Sequence, residues 1–446
     1  MKTPIADFVS AYAASGTARF HMPGHKGKGP LGAEALDVTE IHGADDLFHA
    51  EGIIAESERN AAALFGAGRT FYSTEGATLP IKAMLALAAQ NAPRGTRPRV
   101  LAARNAHKSF LYGCGLLDID VTWLYPAAPT HPCECLVTPG TVESALASAD
   151  TPFAAVYLTS PDYLGNVQDI PAIAEVCRAH GVPLLVDNAH GAYLAFCDPV
   201  CHPIAQGATM CADSAHKTLP VLTGGAYLHI AKDAPAAFTE GARRALSLFA
   251  STSPSYLILQ SLDLCNRYLA DGFVDDLKNA AKRVEKLRAS LQRAGYSLTG
   301  NEPLKLTVSG ASRGYTGTEL AAALREASIE VELADRDVIV LMCSPHNTAE
   351  EFARVKQALT ALPRRSSLPV SHTVTALVPE AVLSVREALL SPSRTLPVRE
   401  AVGHICAAPT VSCPPAVPIV MSGERIPREA LPLFECFGIE TVDVVE

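Results

Sequence analysis

Apolar and polar positions follow two rhythms along this chain. Short apolar runs bounded by turn residues predict strands, and apolar positions three and four apart predict helices. On that reading residues 6–14 form a short amphipathic helix and 56–65 another. Residues 70–73 form a strand, followed by an apolar helix over 79–89. Strands at 99–103 and 120–124 flank a helix at 108–114. A helix at 142–148 leads to a strand at 154–158 and a loop marked by Pro161 and Gly165. The helix over 170–180 shows Ile170, Ile173 and Val176 on one face, and Gly181 ends it. The run Leu184-Leu185-Val186-Asp187 then reads as a buried strand with Asp187 at its C-terminal tip.

Strand and helix signals thus alternate from about residue 53 to 230. This predicts an α/β fold with a mostly parallel sheet and helices on both faces. Long helical patterns follow at 257–269 and 274–294. From about residue 296 the pattern changes. Strands at 305–309 and 338–342 surround a helix at 319–326, with a further helix at 348–359, which predicts a smaller α+β domain. Residues 363–371 make a polar linker. Beyond it, Pro414, Pro415 and Pro418 precede Gly423-Glu424-Arg425-Ile426. The expected organisation is an N-terminal arm (1–52), a large domain (53–295), a small α+β domain (296–362) and a C-terminal segment (372–446). The chain shows no internal repeats and no low-complexity tract.

Composition narrows the classes. With 446 residues, 48% of them hydrophobic, two or three domains with large cores are expected. A formal net charge of -9 and no long basic run argue against a nucleic-acid partner. No stretch of 18 apolar residues occurs, and Lys82 interrupts the best candidate, so no membrane span is expected. The N-terminus lacks the apolar core of a signal peptide, and a cytoplasmic protein is expected. Twelve scattered cysteines read as buried thiols rather than a disulfide framework. His131-Pro132-Cys133-Glu134-Cys135 has no second ligand pair at zinc spacing. His21 and His25 are separated by Pro23-Gly24, which breaks any helix that would align them. No metal is expected.

The candidate chemistry centres on Asp213-Ser214-Ala215-His216-Lys217-Thr218-Leu219-Pro220. Asp187 lies upstream at its strand tip. A carboxylate at a strand tip, with a lysine on a loop among hydroxyl residues, suits pyridoxal phosphate. The lysine amine forms the Schiff base, and the carboxylate keeps the pyridine nitrogen protonated so that the ring acts as an electron sink. Taken singly, each residue has a plainer reading: a solvated loop lysine and a helix-capping aspartate. The pairing favours a site, because α/β sheets place ligand groups at the C-terminal ends of strands. Gly76-Ala77-Thr78 is a small-residue turn into a helix N-terminus, which presents backbone N–H groups to a phosphate. In isolation it is also an ordinary strand-to-helix turn.

Ser214 to Pro220 resembles the lysine box of the Orn/Lys/Arg decarboxylases, which are fold-type-I pyridoxal phosphate enzymes. Phe20-His21-Met22-Pro23-Gly24-His25-Lys26-Gly27 resembles the N-terminal signature of that family. Asp37 to Ile41 with Asp45-Asp46-Leu47, and Ser251 to Tyr256, follow in family order. The similarity runs from about residue 4 to the end. It implies an aspartate-aminotransferase-like large domain with smaller α+β C-terminal domains. It implies that Lys217, Asp187, Ala189 and His190 hold the cofactor, and that His107 lays an imidazole face on the pyridine ring. Ser214 and His216 match positions that contact the phosphate, as do Gly76, Ala77 and Thr78. His216 is a candidate general acid beside the Schiff base, with Lys217 as the alternative, and it also matches a phosphate contact. Glu332 matches an acidic position that would pair with the distal cation of the substrate; a solvated strand residue is its plainer reading. His25 and Lys26 are expected near the site and the dimer contact.

Three departures from the family pattern stand out. Ala77 replaces a hydroxyl residue, so that only Thr78 carries over, with Ser73 a candidate compensating donor. Asn188 replaces a glutamate in Asp187-Asn188-Ala189-His190. Leu222-Thr223-Gly224-Gly225-Ala226 stands where Leu-Thr-Gln-Thr-Ala is usual. The short form, without room for an N-terminal wing domain, implies a homodimer with the site between subunits and Ser251 to Ser255 reaching the phosphate of a neighbour. The expected activity is decarboxylation of arginine, lysine or ornithine to the amine and carbon dioxide. Alternatives are another pyridoxal phosphate reaction on the same fold (aminotransferase, lyase or other decarboxylase) and a non-catalytic regulator that binds the cofactor.

Overall fold

A computed structural model describes residues 1–93, 95–126, 129, 131–369, 377–409 and 416–446. Pro414 and Pro415, the end of the expected linker and the start of the expected C-terminal segment lie outside the described residues. Seven strands form the main sheet: β1 (Arg69–Ser73), β2 (Arg99–Ala103), β3 (Asp120–Leu124), β4 (Ala155–Thr159), β5 (Leu184–Asp187), β6 (Met210–Asp213) and β7 (Ala226–Ile230). Their order is β1-β7-β6-β5-β4-β2-β3. The pairs β2–β3 and β5–β6 are parallel, while β7 runs antiparallel to both β1 and β6. The sheet is therefore mostly parallel, as the alternation of elements predicts.

Two smaller sheets are antiparallel. One has the order β10-β11-β9-β8, from β8 (Ser297–Thr299), β9 (Lys305–Ser309), β10 (Leu333–Ala334) and β11 (Ile339–Met342). The other pairs β12 (Ser393–Pro397) with β13 (Thr441–Val445). The chain divides into two compact units. The first comprises Met1–Ala92, Ala154–Val156 and Ile170–Asp275; the second comprises Pro93–Phe153, Tyr157–Asp169 and Asp276–Glu446. Among the described residues no helix is long and apolar enough to cross a membrane. The described cysteines are all free thiols, and most are buried.

In the first unit, helix α1 (Pro4–Ala14) starts with proline in its first turn, where a missing N–H costs nothing. Helix α2 (Ile53–Phe65) ends at Gly66, whose φ of +69° favours glycine. Helix α3 (Thr78–Gln90) is buried on nearly every face, which is why its sequence is apolar almost throughout. Two buried carboxylates anchor the first two of these helices. Glu58 of α2 accepts two hydrogen bonds from Arg243 and one from the Tyr72 backbone N–H. Asp263 accepts from the backbone N–H groups of Ile5 and Ala6 at 2.9 and 3.0 Å, and from the Ser57 hydroxyl. The start of α1 therefore rests on a carboxylate that is 0% exposed.

Burial pushes the Asp263 carboxyl up to about 6, although Ser57, Ala6 and Ile5 donate to it. A carboxyl raised above its unfolded value adds stability that is full below the unfolded pKa and lost as pH rises through the folded one. The urea midpoint of the wild-type protein should therefore fall relative to that of Asp263→Asn between pH 4 and 7. The corresponding difference is about 3 kcal/mol. Parallel curves for the two proteins would refute the assignment.

Candidate active site

In the first unit, strand pairing brings the candidate residues to one edge of the sheet. Asp187 is the register partner of Ala212 in the parallel β5–β6 pair. Asp213 faces Tyr227 and Ser73 faces Ala226 across the antiparallel pairs with β7. The C-terminal ends of β1, β5 and β6 and the start of β7 thus share an edge, where α/β sheets carry their ligands.

Lys217 is expected on a loop, but it sits in a single helical turn, Ala215–Thr218, directly after β6. The turn forms because the Lys217 N–H returns to the Ser214 carbonyl and the Leu219 N–H to that of Ala215. Lys217 Nζ lies 3.1 Å from His190 Nε2, and His190 is buried. His216 Nδ1 donates to the Gly225 carbonyl at 2.9 Å. Burial lowers the His216 pKa, only partly opposed by that bond, so the ring is neutral near pH 7 with its proton on Nδ1. Its Cε1 lies 3.8 Å from where a Cβ on Gly76 would stand. His216 therefore packs on the candidate phosphate turn.

That turn is held by backbone contacts. The Gly76 N–H donates to the Gly224 carbonyl at 2.7 Å. Gly224 has φ +100°, and a Cβ there would come within 2.7 Å of the Thr74 carbonyl oxygen. A Cβ on Gly225 would overlap Val221 Cγ1. The two glycines that depart from the family pattern are thus the residues that let this loop close on the turn. Ser73 does not compensate for Ala77. Its hydroxyl is buried, donates to the Gly76 carbonyl and accepts from the Glu75 N–H. Ala77 is the buried N-cap of α3 and contributes no side-chain cap, while Thr78 opens the helix at the surface. Glu75 also accepts the Ser251 N–H at 2.8 Å, which places the Ser251 segment beside the turn of its own chain.

Asp187 is 2% exposed, and its Oδ1 accepts the Ala189 N–H at 3.2 Å. Asn188 donates its amide to Asp213 Oδ1 at 2.7 Å, and its backbone N–H bonds the Ala212 carbonyl. A glutamate at 188 would set a second carboxylate against Asp213, whereas the amide supplies a donor. Asp213 also meets His202 Nε2 at 2.9 Å, His229 Nε2 at 3.3 Å and the Cys211 thiol at 3.2 Å. Asp213, His202, His229, Cys211 and Asn188 are all 0% exposed. Burial alone would raise the Asp213 carboxyl; His202 and His229 outweigh it and hold the group below the usual carboxylate range. His202, Cys211 and Asp213 have donor atoms within 4.8 Å of one another, a metal-binding set by residue type. Sequence spacing does not reveal this cluster, because a loop, β6 and β7 each contribute to it. Only the position of Asp213 at a strand tip signals it.

The donor set fits pyridoxal phosphate. The start of α3 and the Gly76 turn offer a place for the phosphate. Ser214 is 3% exposed, and its hydroxyl makes no capping bond to the turn that it precedes. The Thr218 hydroxyl, next to Lys217, is buried and unpartnered. A buried hydroxyl without a partner is costly unless a ligand satisfies it.

Other expected residues make local contacts within their own units. His107 and Glu332 are in the second unit. His107 caps helix α4 (Lys108–Leu117), its Nδ1 accepting the Ser109 N–H at 3.1 Å. Glu332 is exposed, accepts the Tyr163 hydroxyl, and lines a cavity of about 380 Å³ with Glu330 and Phe352. In the first unit, His25 pairs with Asp37 at 3.1 Å and Lys26 donates to the His21 carbonyl, both within the N-terminal arm.

A sequence model of the family described as Orn/Lys/Arg decarboxylase, major domain, matches residues 3–307. A Bacillus subtilis (strain 168) protein named uncharacterized protein YaaO is 30% identical over 468 aligned residues, covering 97% of this chain and 93% of that protein. An arginine decarboxylase of the same organism is 30% identical over 460, covering 96% and 92%. In three dimensions the chain is similar to the Francisella novicida lysine decarboxylase LdcF. The TM-score is 0.79 at 17% identity, covering 100% of this chain and 81% of that one. That likeness speaks for the fold, which is that of the fold-type-I enzymes. With Lys217 and Asp187 at the shared sheet edge and the family match over most of its length, the chain belongs to the Orn/Lys/Arg decarboxylase family of pyridoxal phosphate-dependent amino-acid decarboxylases.

Proposed function

We propose that this protein removes the α-carboxylate of a basic amino acid, with arginine the preferred substrate. The observation that carries the reaction is the meeting of Lys217, Asp187 and the Gly76 turn at one sheet edge. Arginine is favoured because one of the two Bacillus subtilis relatives, matched over 92% of its length, is named for it. Pyridoxal phosphate, when bound, supplies the sink for the electron pair left by departing carbon dioxide.

The chain's own residues divide the remaining work. Lys217 holds the cofactor and delivers the proton to Cα, exchanging it with His190 Nε2. Asp187, buried and steadied by the Ala189 N–H, keeps a proton on the ring nitrogen. His107 contributes a flat imidazole face that orients the ring and excludes water. His216 serves the phosphate end, because its ring packs on Gly76 and its Nδ1–H is committed to Gly225. Ser214, Thr78 and the N–H groups at the start of α3 complete that end, with Ser214 offsetting the hydroxyl absent at Ala77. Glu332 pairs with the guanidinium, its Oε1 steadied by Tyr163. The working form is a cytoplasmic homodimer with the site at the subunit interface. Phe20 and Met22 of the N-terminal arm, 97% and 69% exposed in the single chain, support an arm that an assembly covers.

Purified protein with pyridoxal phosphate should release carbon dioxide from arginine, lysine and ornithine in unequal measure. Arginine should lead by about tenfold, a margin within reach of one well-paired polar contact. Lys217→Ala should abolish release. Carbon dioxide from none of the three, with the visible band of the lysine-bound cofactor intact, would overturn the basic-amino-acid reading. Gly224→Ala forces a side chain into a left-handed conformation against Thr74. It should weaken cofactor binding by about tenfold, with unchanged far-UV circular dichroism. Wild-type affinity in that variant would show that the glycine pair does not shape the phosphate turn.

A further inference from the structure

Within the first unit, one buried hydrogen bond joins two turns that carry candidate site residues. The end of β5 and the turn after it carry Asp187 and His190. The turn after β6 carries Lys217. Asn188 is built into the first turn on both sides. Its carbonyl accepts the Gly191 N–H at 2.9 Å, and its own N–H donates to the Ala212 carbonyl at 2.9 Å. Its side-chain amide then donates to Asp213 Oδ1 at 2.7 Å. Asp213 is followed at once by Ser214, whose carbonyl accepts the Lys217 N–H at 3.0 Å and so starts the lysine turn. Lys217 Nζ in turn lies 3.1 Å from His190 Nε2. That contact joins the outer ends of two turns whose roots are fixed by Asn188 and Asp213.

Asp213 can anchor both turns because its carboxylate is held from several sides. His202 Nδ1 accepts the Ile204 N–H at 3.4 Å, which leaves Nε2 as the donor to Asp213 Oδ2 at 2.9 Å. The Cys211 thiol donates to Oδ1 at 3.2 Å. The His229 ring is tied to the Thr70 hydroxyl through Nδ1 at 2.8 Å, and its Nε2 lies 3.3 Å from Asp213 Oδ2. Phe65 packs against both rings, its centroid 5.5 Å from that of His202 and 4.5 Å from that of His229. One carboxylate oxygen therefore serves His202 and the other serves Asn188. An amide at 213 has a single acceptor oxygen, so it can answer His202 or Asn188 but not both.

We propose that Asp213 is a positioning residue for the cofactor site: through Asn188 it sets the spacing between the turn of Asp187 and His190 and the turn of Lys217. The inference rests on the cofactor roles assigned to Lys217 and Asp187 above. Asp213 and Asn188 act through their neighbours in sequence and are not catalytic residues. The proton affinity of the Lys217 nitrogen depends on its distance from His190 on the other turn, from His216 beside it and from the Asp187 carboxylate. A change in the spacing of the two turns therefore reaches the lysine–cofactor link as a change in its titration. A loss of stability alone would leave that titration where it was.

The test is a double-mutant cycle read by pH titration of the visible band of the lysine-bound cofactor. Its arms are wild type, Asn188→Ala, Asp213→Asn and the double variant, with Asp187, His190 and His216 left unchanged. Each single change should move the midpoint by about one pH unit, the size expected of a coupled buried contact. It should also lower kcat on arginine about tenfold while KM changes by less than about twofold, because the spacing acts on the reacting end of the substrate. The double variant should shift no further than either single one. Shifts that add, or no shift in either single variant, overturn the proposal, and so does a lowered urea midpoint with an unmoved titration. If the wild type shows no such band, or Lys217→Ala keeps it, the Lys217 assignment fails and takes the inference with it. If carbon dioxide comes from none of the three basic amino acids, the decarboxylase reading fails while the titration still decides the role of Asp213. If circular dichroism shows a variant misfolded, Asn188→Ser or His202→Gln takes its place. The first stops one bond short of Asp213, and the second frees the carboxylate from its ring. An unmoved midpoint in the replacement would equally overturn the proposal.

Discussion

The first unit depends on one buried negative charge. Asp213 ends β6 with no access to water, and such a carboxylate is tolerated only when donors surround it. Asn188 supplies one from the tip of β5, Cys211 one from β6 and His202 one from a loop, while the His229 ring of β7 comes within 3.3 Å. Each donor comes from a different place in the chain, so the charge fixes their relative positions. Asp187 precedes Asn188, and the Lys217 turn follows Asp213. The two residues that define the cofactor site are therefore spaced by the hydrogen bond between their neighbours.

The same economy explains the unusual residues around the site. Asn188 belongs with Asp213, because an acid at 188 would repel it. Gly224 and Gly225 belong with the Gly76 turn, because no side chain fits where that loop closes. Ser73 belongs with the turn as well, its hydroxyl committed to the backbone. The asparagine and the glycine pair are thus local fits rather than losses, and the lysine, the aspartate and the small-residue turn stay in place around them.

The second unit carries its candidate residues on a network of its own. The loop that bears Tyr163 is held by Lys305, whose buried ammonium donates to the Asp162 carbonyl at 3.1 Å, and by Thr307, which bonds the Leu164 carbonyl. Nearby Glu302 is pushed up to about 7 by burial, against the pull of Lys305. His107 rests on the start of α4. The loop that sets Tyr163 against Glu332 is thus anchored by a buried charged group, and His107 by the backbone of its own helix.

The sequence alone determined the periodic elements and the local motifs. Residues 99–103, 120–124 and 305–309 read as strands from short-range pattern, because burial of alternate or continuous apolar positions leaves its mark within a few residues. Lys217, Asp187 and the Gly76 turn were legible for the same reason: each is a short motif at the end of a strand. Strand β7 was not, since Ala-Tyr-Leu-His-Ile follows a glycine pair and hides a buried histidine that only Thr70 and Asp213 justify. Lys217 was read onto a loop because a one-turn helix has too few residues to show a period. The partners of Asp213, and the bond from Arg104 to Glu424 across 320 positions, were decided by the tertiary structure alone. Such contacts join residues far apart in the chain, and hydrogen bonds between buried charges leave no periodic trace in the residues on either side.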